Sequence, residues 1–156
     1  MILKGGFPML GKRQLLMVFV EEGLLDESKV DEILATSEEY NLSLGQFVVQ
    51  RGYLSESQFL QIFAREYDYE YYDKLDKIEV PNEFCKRVSI NFARNNNILA
   101  IGIKNGAYQI ATCSPLLTYP IDELSTLLRA DIDIVLAPKA EIVALINTCY
   151  KENIGV

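Results

Sequence analysis

An internal repeat with an offset of 29 residues organises the first half of the chain. Apolar residues and one glycine recur in the same order in both copies, and a fixed period of this size is typical of a repeated supersecondary unit. The repeat therefore predicts two related helical hairpins. The first copy comprises Leu15, Phe19, Gly23, Leu25, Val30 and Leu34, and the second comprises Leu44, Val48, Gly52, Leu54, Phe59 and Phe63.

Each copy carries the signals of two short helices joined by a glycine turn. In the first copy, apolar spacing predicts a helix over about residues 14–22, and Gly23 follows where a helix end favours a left-handed residue. Asp26 is then a good N-cap for the second helix. The second copy repeats this plan with a helix over residues 44–51, a stop at Gly52, and a capping box formed by Ser55 and Gln58.

From residue 69 the pattern changes to short strands interspersed with helices. The predicted strands are Glu70–Asp73, Ile98–Ile103, Tyr108–Thr112 and Ile132–Leu136, with an Asn105-Gly106 hairpin turn between the second and third. The predicted helices contain Phe84, Asn91 to Arg94, Ile121 to Leu128 and Lys139 to Tyr150.

These patterns predict an α+β fold in three parts. Residues 1–10 form an N-terminal extension, and residues 11–68 form a subdomain of four short helices in two repeated hairpins. Residues 69–156 form a small α/β sandwich, for which we expect a mostly antiparallel sheet.

Composition argues against several classes of function. The net charge of −7 disfavours a nucleic-acid partner, because an acidic chain repels the phosphate backbone. The chain has no histidine, and its three cysteines are widely spaced without a CxxC pair, so we predict no metal site and no disulfide framework. Cys85, Cys113 and Cys149 are interpreted as reduced thiols that behave as small apolar residues.

Catalytic motifs are also missing from the sequence. Without histidine, Ser-His-Asp and Cys-His catalysis are excluded. No G-x-x-x-x-G-K-[ST] loop is present to hold a nucleotide triphosphate. We therefore predict no catalytic residues and no cofactor. The chain shows no signal peptide, and its apolar runs are far below the ~20 residues that span a bilayer, so we expect a cytoplasmic protein without direct membrane insertion.

Acidic residues are concentrated in the first repeat. Eight of them lie between Glu21 and Glu39, and Lys29 is the only basic residue opposing them. One interpretation is a solvated helix face, and the other is a docking face for a basic partner. The candidate docking residues are Asp26, Glu27, Asp31, Glu32, Glu38 and Glu39.

The order of these motifs resembles the N-terminal domain of the type II secretion and type IV pilus assembly ATPases, called in some members the MshE-type N-terminal domain. The second repeat contains Ser43-Leu44-Gly45 followed by Gly52. It resembles the repeat pattern of the family, in which Arg-Leu-Gly is followed, after a variable stretch, by Gly. Cys113-Ser114-Pro115 stands where members usually show a small residue, Asp and Pro after a core strand. The resemblance covers nearly the whole chain, from about Gly11 to Tyr150.

The resemblance implies a non-catalytic docking and regulatory domain. In the family, this region tethers the cytoplasmic ATPase to the cytoplasmic part of an inner-membrane platform protein, so the domain would be peripheral to that membrane through its partner. A stand-alone adaptor of the same fold is an alternative.

A second alternative is a sensor of cyclic di-GMP, which the repeats bind in some family members. The residues that the resemblance implies for this ligand are Arg13, Leu15, Leu44, Gly45, Gly52 and Leu54. The leading arginine position of the repeat holds Gln14 in one copy and Ser43 in the other, and Arg13 lies one residue away.

Overall fold

The structure is a computed structural model that describes residues 11–40 and 43–153. The predicted N-terminal extension, residues 1–10, lies outside the described residues. The chain divides into two compact units, Met1–Asp68 and Tyr69–Val156. We call them the helical unit and the α/β unit.

The helical unit contains the four helices that the repeat predicts. The helices are α1 (Lys12–Glu21), α2 (Val30–Glu39), α3 (Leu44–Gln50) and α4 (Glu56–Tyr67), and a 3-10 turn over Glu27–Lys29 leads into α2. For the two helices whose bounds were predicted, α1 and α3, the observed bounds differ by at most two residues.

The two glycine turns have the same backbone geometry. Gly23 and Gly52 adopt φ angles of 76° and 78°, in the left-handed region that glycine enters at little cost. The N–H of Gly23 donates to the carbonyl of Val20 at 3.0 Å, and the N–H of Gly52 donates to that of Val49 at 3.1 Å. These bonds satisfy carbonyls that a helix end leaves free. The sequence repeat is therefore also a repeat of local structure.

Side-chain caps start the second helix of each hairpin. The Asp26 carboxylate accepts the N–H of Ser28 at 2.9 Å, so the predicted cap stands at the start of the 3-10 turn. The predicted capping box at α4 is confirmed: the hydroxyl of Ser55 accepts the N–H of Gln58 at 3.1 Å, and the Gln58 side chain accepts the Ser55 N–H at 3.0 Å. Ser43 starts α3 with a box of the same kind, which the sequence analysis did not single out.

Aromatic rings form the core of the helical unit. Phe19 of α1 stacks on Phe59 of α4 with 5.8 Å between ring centroids. Phe63 lies 5.7 Å from Phe59 and 4.5 Å from Tyr67, which continues the row along α4. All four side chains are buried. Gly45 of α3 completes this core, because its missing side chain leaves the space that the Phe59 ring occupies.

The α/β unit combines four helices with a four-stranded sheet. The strand β1 is shorter than the predicted Glu70–Asp73, because the chain leaves the sheet after Tyr72 and the Leu75 N–H donates to the Glu141 carboxylate at 2.9 Å. The elements in chain order are β1 (Glu70–Tyr71), α5 (Asn82–Arg87), α6 (Ile90–Asn96), β2 (Ile98–Lys104), β3 (Ala107–Thr112), α7 (Tyr119–Leu128), β4 (Ile132–Leu136) and α8 (Lys139–Asn153).

The sheet confirms the α+β class and corrects the expected strand direction. Its order is β1-β4-β3-β2. The hairpin strands β2 and β3 are antiparallel, whereas β3 pairs with β4 and β4 with β1 in parallel. The prediction of a mostly antiparallel sheet was therefore wrong. The reason is α7, which carries the chain back across the sheet, so β4 starts at the same end as β3 and runs in the same direction.

The core of the α/β unit lies where the helices cover the sheet. Ile110 and Ala111 of the inner strand β3 are fully buried, as are Ile142 and Ile146 of α8. The hydroxyl of Tyr150 donates to the Val88 carbonyl at 2.8 Å, which ties the last turns of α8 to the end of α5. Burial raises the pKa of Tyr150 far above its usual range, so the phenol stays protonated and able to donate.

Replacing Gly45 with alanine should destabilise the helical unit by about 1–3 kcal/mol. The added Cβ would lie 2.7 Å from the Phe59 ring, which is itself held by Phe19 and Phe63. Helix propensity alone would make the alanine variant more stable by ~1 kcal/mol. A decrease in the free energy of unfolding therefore identifies the clash with Phe59. Urea unfolding measures it, with Gln50→Ala on the exposed face of the same helix as a near-neutral control. A stabilised Gly45→Ala variant would contradict this packing.

Gly23→Ala and Gly52→Ala should each cost about 1–2 kcal/mol through backbone strain alone. No atom lies within 4 Å of the added Cβ at either position, so steric contact contributes nothing. Gly52→Asn should cost less than Gly52→Ala, because asparagine tolerates the left-handed region. Urea unfolding of the three variants checks this order, and an equal loss for asparagine and alanine would rule out strain as the cause.

Candidate functional site

An acidic stripe runs along the exposed face of α2. It consists of Asp31, Glu32, Glu38 and Glu39, which are all exposed and fall on one side of the helix, because positions seven residues apart lie two turns apart. Asp26 and Glu27 continue the negative charge ahead of the helix. The structure thus brings the six predicted docking residues to α2 and the turn that precedes it.

The charge of the chain is concentrated in the same unit. Residues 1–68 contain eleven acidic and six basic side chains, so five of the seven net negative charges belong to this part of the sequence. A concentrated negative field attracts a basic partner at long range and is weakened by salt.

Two basic side chains neutralise the first turn of the stripe. The Arg13 guanidinium of α1 forms an ion pair and hydrogen bond with the Asp31 carboxylate. Lys29 lies 3.8 Å from a Glu32 carboxylate oxygen. Glu38 and Glu39, at the other end of α2, form no ion pair with another residue in the described ranges 11–40 and 43–153. The end of the stripe that includes Glu38 and Glu39 therefore has charge available for a partner.

Asp26 caps the 3-10 turn and also adds to the negative charge of this surface. The Ser28 backbone N–H, followed by the Ser28 hydroxyl, lowers the pKa of the Asp26 carboxyl. The carboxylate is therefore ionised at neutral pH, which suits both a cap and a docking residue.

The residues nominated for cyclic di-GMP fall into two groups. Leu15, Leu44 and Leu54 are buried in the core of the helical unit, and Gly45 is packed against Phe59. Arg13 and Gly52 are exposed. Of the six, only Arg13 offers a charged side chain, and its guanidinium is engaged with Asp31.

An aromatic cradle around Arg51 was missed by the sequence analysis. The guanidinium carbon of Arg51 lies 4.8 Å from the Tyr40 ring centroid and 5.3 Å from that of Phe47. These are cation–π distances. Phe47 and Arg51 are four residues apart on α3, so helical spacing was the signal that could have found this pair. The contact with Tyr40 joins the two hairpins and has no local sequence signal.

A second missed contact joins the ends of the helical unit. Arg65 of α4 pairs with the Glu22 carboxylate directly after α1, and also lies 3.2 Å from Glu66. Glu22 is one of the eight acidic residues of the first repeat, so part of that charge holds helices together.

The α/β unit contains a groove of about 660 Å³ between the segment after β1 and helix α8. Its wall mixes apolar side chains with the carboxylates of Asp76, Glu79 and Glu141. Glu141 is already occupied, because it accepts the Leu75 N–H at 2.9 Å and lies 3.9 Å from the Lys74 ammonium. No residue of this groove was nominated from the sequence.

The part of the chain that the structure describes contains neither a cluster suited to a metal ion nor a helix suited to cross a membrane. Within residues 11–40 and 43–153, no three His, Cys, Asp or Glu side chains come together as a metal site. None of the helices in those ranges has the length and apolar character needed to cross a bilayer.

Two solved structures share this fold across most of the chain. A structure of MshE with cdg is 24% identical, has a TM-score of 0.74, and aligns over 91% of this chain and 100% of its own. A structure of the N-terminal domain of XpsE is 16% identical with a TM-score of 0.69 over 90% of this chain and 97% of its own. At these identities the likeness concerns the fold.

The family comparison covers the α/β unit. The MshEN domain matches residues 67–155, which is more than half of the chain. No curated protein sequence matches significantly. The matched segment includes the elements β1 to α8. The chain therefore belongs to the MshEN domain family, the N-terminal domains of MshE-type secretion and pilus ATPases.

Proposed function

We propose that the helical unit is a docking module that binds a basic segment of the cytoplasmic part of an inner-membrane platform protein. The domain would then hold its ATPase on the cytoplasmic side of that membrane without entering the bilayer. The observation that carries this proposal is the acidic stripe of α2, whose Glu38 and Glu39 carboxylates have no ion pair among the described residues.

The stripe suits a docking surface for two physical reasons. Its carboxylates are exposed, so a partner's lysine or arginine can reach them directly. The free domain also does not bear the energetic cost of keeping these charges buried. The helix beneath is fixed, because Val30 and Ile33 are buried on its other face. A rigid row of like charges gives electrostatic complementarity, which raises the association rate and selects basic partners.

Reversing the charge of Glu38 and Glu39 should weaken platform binding about fivefold or more at low salt. We would measure the dissociation constant of the Glu38→Lys/Glu39→Lys variant for the platform's isolated cytoplasmic part. The difference from the unchanged chain should shrink as salt is added, because exposed charges are screened.

The matched control is Asp73→Lys/Asp131→Lys, which makes the same charge change at exposed positions of the α/β unit. It should weaken binding much less. An equal effect of both variants would show that binding depends on the net charge of the chain and not on the stripe. No effect of either variant would show that the stripe is only a solvated surface.

We propose cyclic di-GMP binding by the helical unit as the second candidate function. It is favoured by the match to a structure of MshE with cdg over 91% of this chain. Arg13 is the residue with suitable chemistry, since a guanidinium can stack on guanine or bond its O6 and N7 edge. To do so it must leave Asp31, so ligand and carboxylate compete for one cation.

Calorimetry with cyclic di-GMP tests this candidate. Arg13→Ala should abolish the heat of binding, and Asp31→Asn should strengthen binding because Arg13 is released. Arg65→Ala is the matched control, since Arg65 is likewise exposed and paired with a carboxylate of another segment. Absence of heat at ligand concentrations well above the micromolar range would end the hypothesis, and so would binding that survives Arg13→Ala.

A further inference from the structure

Two cysteine thiols of the α/β unit lie in contact with each other. The Sγ atoms of Cys85 on α5 and Cys149 on α8 are 3.8 Å apart, although 64 residues separate them in sequence. Neither forms a disulfide in the structure. Cys113 is the third cysteine, and its Sγ lies 3.8 Å from the neighbouring Ser114 hydroxyl.

The surrounding contacts hold these two thiols together. Phe84, next to Cys85, is fully buried, and so is Ile146 one turn before Cys149. The hydrogen bond from the Tyr150 hydroxyl to the Val88 carbonyl, at 2.8 Å, fixes the same two helices within one turn of the thiols. The pair is therefore a consequence of how α5 and α8 pack, and it persists as long as the unit is folded.

Small molecules have a path to the pair. Cys85 is half-buried, and Cys149, although only 4% exposed, lies in the wall of the groove along α8. Burial raises the pKa of the Cys85 thiol, and its contact with the Cys149 thiol lowers it in part. At neutral pH Cys85 is therefore held mainly as the neutral thiol, and mildly alkaline pH favours its reactive thiolate.

We propose that Cys85 and Cys149 form a reversible intramolecular disulfide when the chain meets a low-molecular-weight disulfide such as oxidised glutathione. The sulfurs, 3.8 Å apart, must approach by about 1.8 Å to reach the ~2.05 Å of a disulfide bond. This inference is independent of the proposed docking function.

The reaction is a pair of thiol–disulfide exchanges. The Cys85 thiolate attacks one sulfur of the small disulfide, forms a mixed disulfide, and expels one small thiolate. The Cys149 thiolate then attacks the Cys85 sulfur and expels the second. The two protein thiols lose two protons and two electrons, and the small disulfide is reduced to two small thiols that take up the protons. Excess small thiol reverses both steps.

The bond would change the α/β unit in two ways. It would close a loop that contains the whole β2-β3-α7-β4 segment, and a closed loop of this length stabilises the folded state. It would also turn the Cys149 sulfur toward Cys85, which alters one wall of the groove.

Peptide mapping after oxidation tests the proposal. The chain is incubated with excess oxidised glutathione at mildly alkaline pH, quenched with acid, alkylated and digested without reductant. We expect a linked Cys85–Cys149 peptide pair, an alkylated Cys113, and a protein mass lower by two hydrogen atoms. The oxidised chain should melt several degrees higher, and dithiothreitol should restore both the original mass and the original Tm.

The variants Cys113→Ser and Cys85→Ser separate the outcomes. Cys113→Ser should form the link as readily as the unchanged chain, and Cys85→Ser should form no link between the remaining cysteines. Three alkylated cysteines after prolonged oxidation would overturn the proposal. So would a stable glutathione adduct on Cys85, or a link that includes Cys113.

Discussion

The ring of Phe59 is the contact on which the helical unit depends. It stacks on Phe19 of the first hairpin and occupies the space that Gly45 leaves open in the second. Four short helices have little propensity to form alone, and most of their stability comes from packing of this kind. The exposed face of α2 is rigid enough to present charges because its opposite face is buried in the same unit. The buried residues of α2, Val30 and Ile33, therefore make the acidic stripe a defined surface.

The α/β unit follows a different principle, in which a crossover sets the order of the strands. The helix α7 returns the chain so that β4 lies between β3 and the short β1, with both contacts parallel. This arrangement leaves α8 as the final cover of the core, where it also packs against α5. The cysteine pair and the groove both lie along α8, so they depend on how this last helix packs and not on a local motif.

Sequence alone predicted the features that depend on near neighbours. The glycine turns and the Ser55 capping box are specified within four residues, so their patterns were sufficient. The predicted strand direction was wrong because the hairpin at Asn105-Gly106 makes only the β2-β3 pair antiparallel, whereas the strand-helix-strand order that follows it places β4 parallel to β3. The candidate site shows the same limit. Arg13 and Asp31 are 18 residues apart, and Arg65 and Glu22 are 43 apart, so no local pattern revealed that these charges pair.

The proposed docking function requires that the acidic stripe of the helical unit bind the partner. Hydrogen–deuterium exchange tests it most directly, with the whole chain measured alone and with the cytoplasmic part of the platform protein. The account predicts slower exchange on binding in α2, Val30–Glu39, and in the turn that precedes it. Protection confined to the α/β unit, with α2 unchanged, would contradict it.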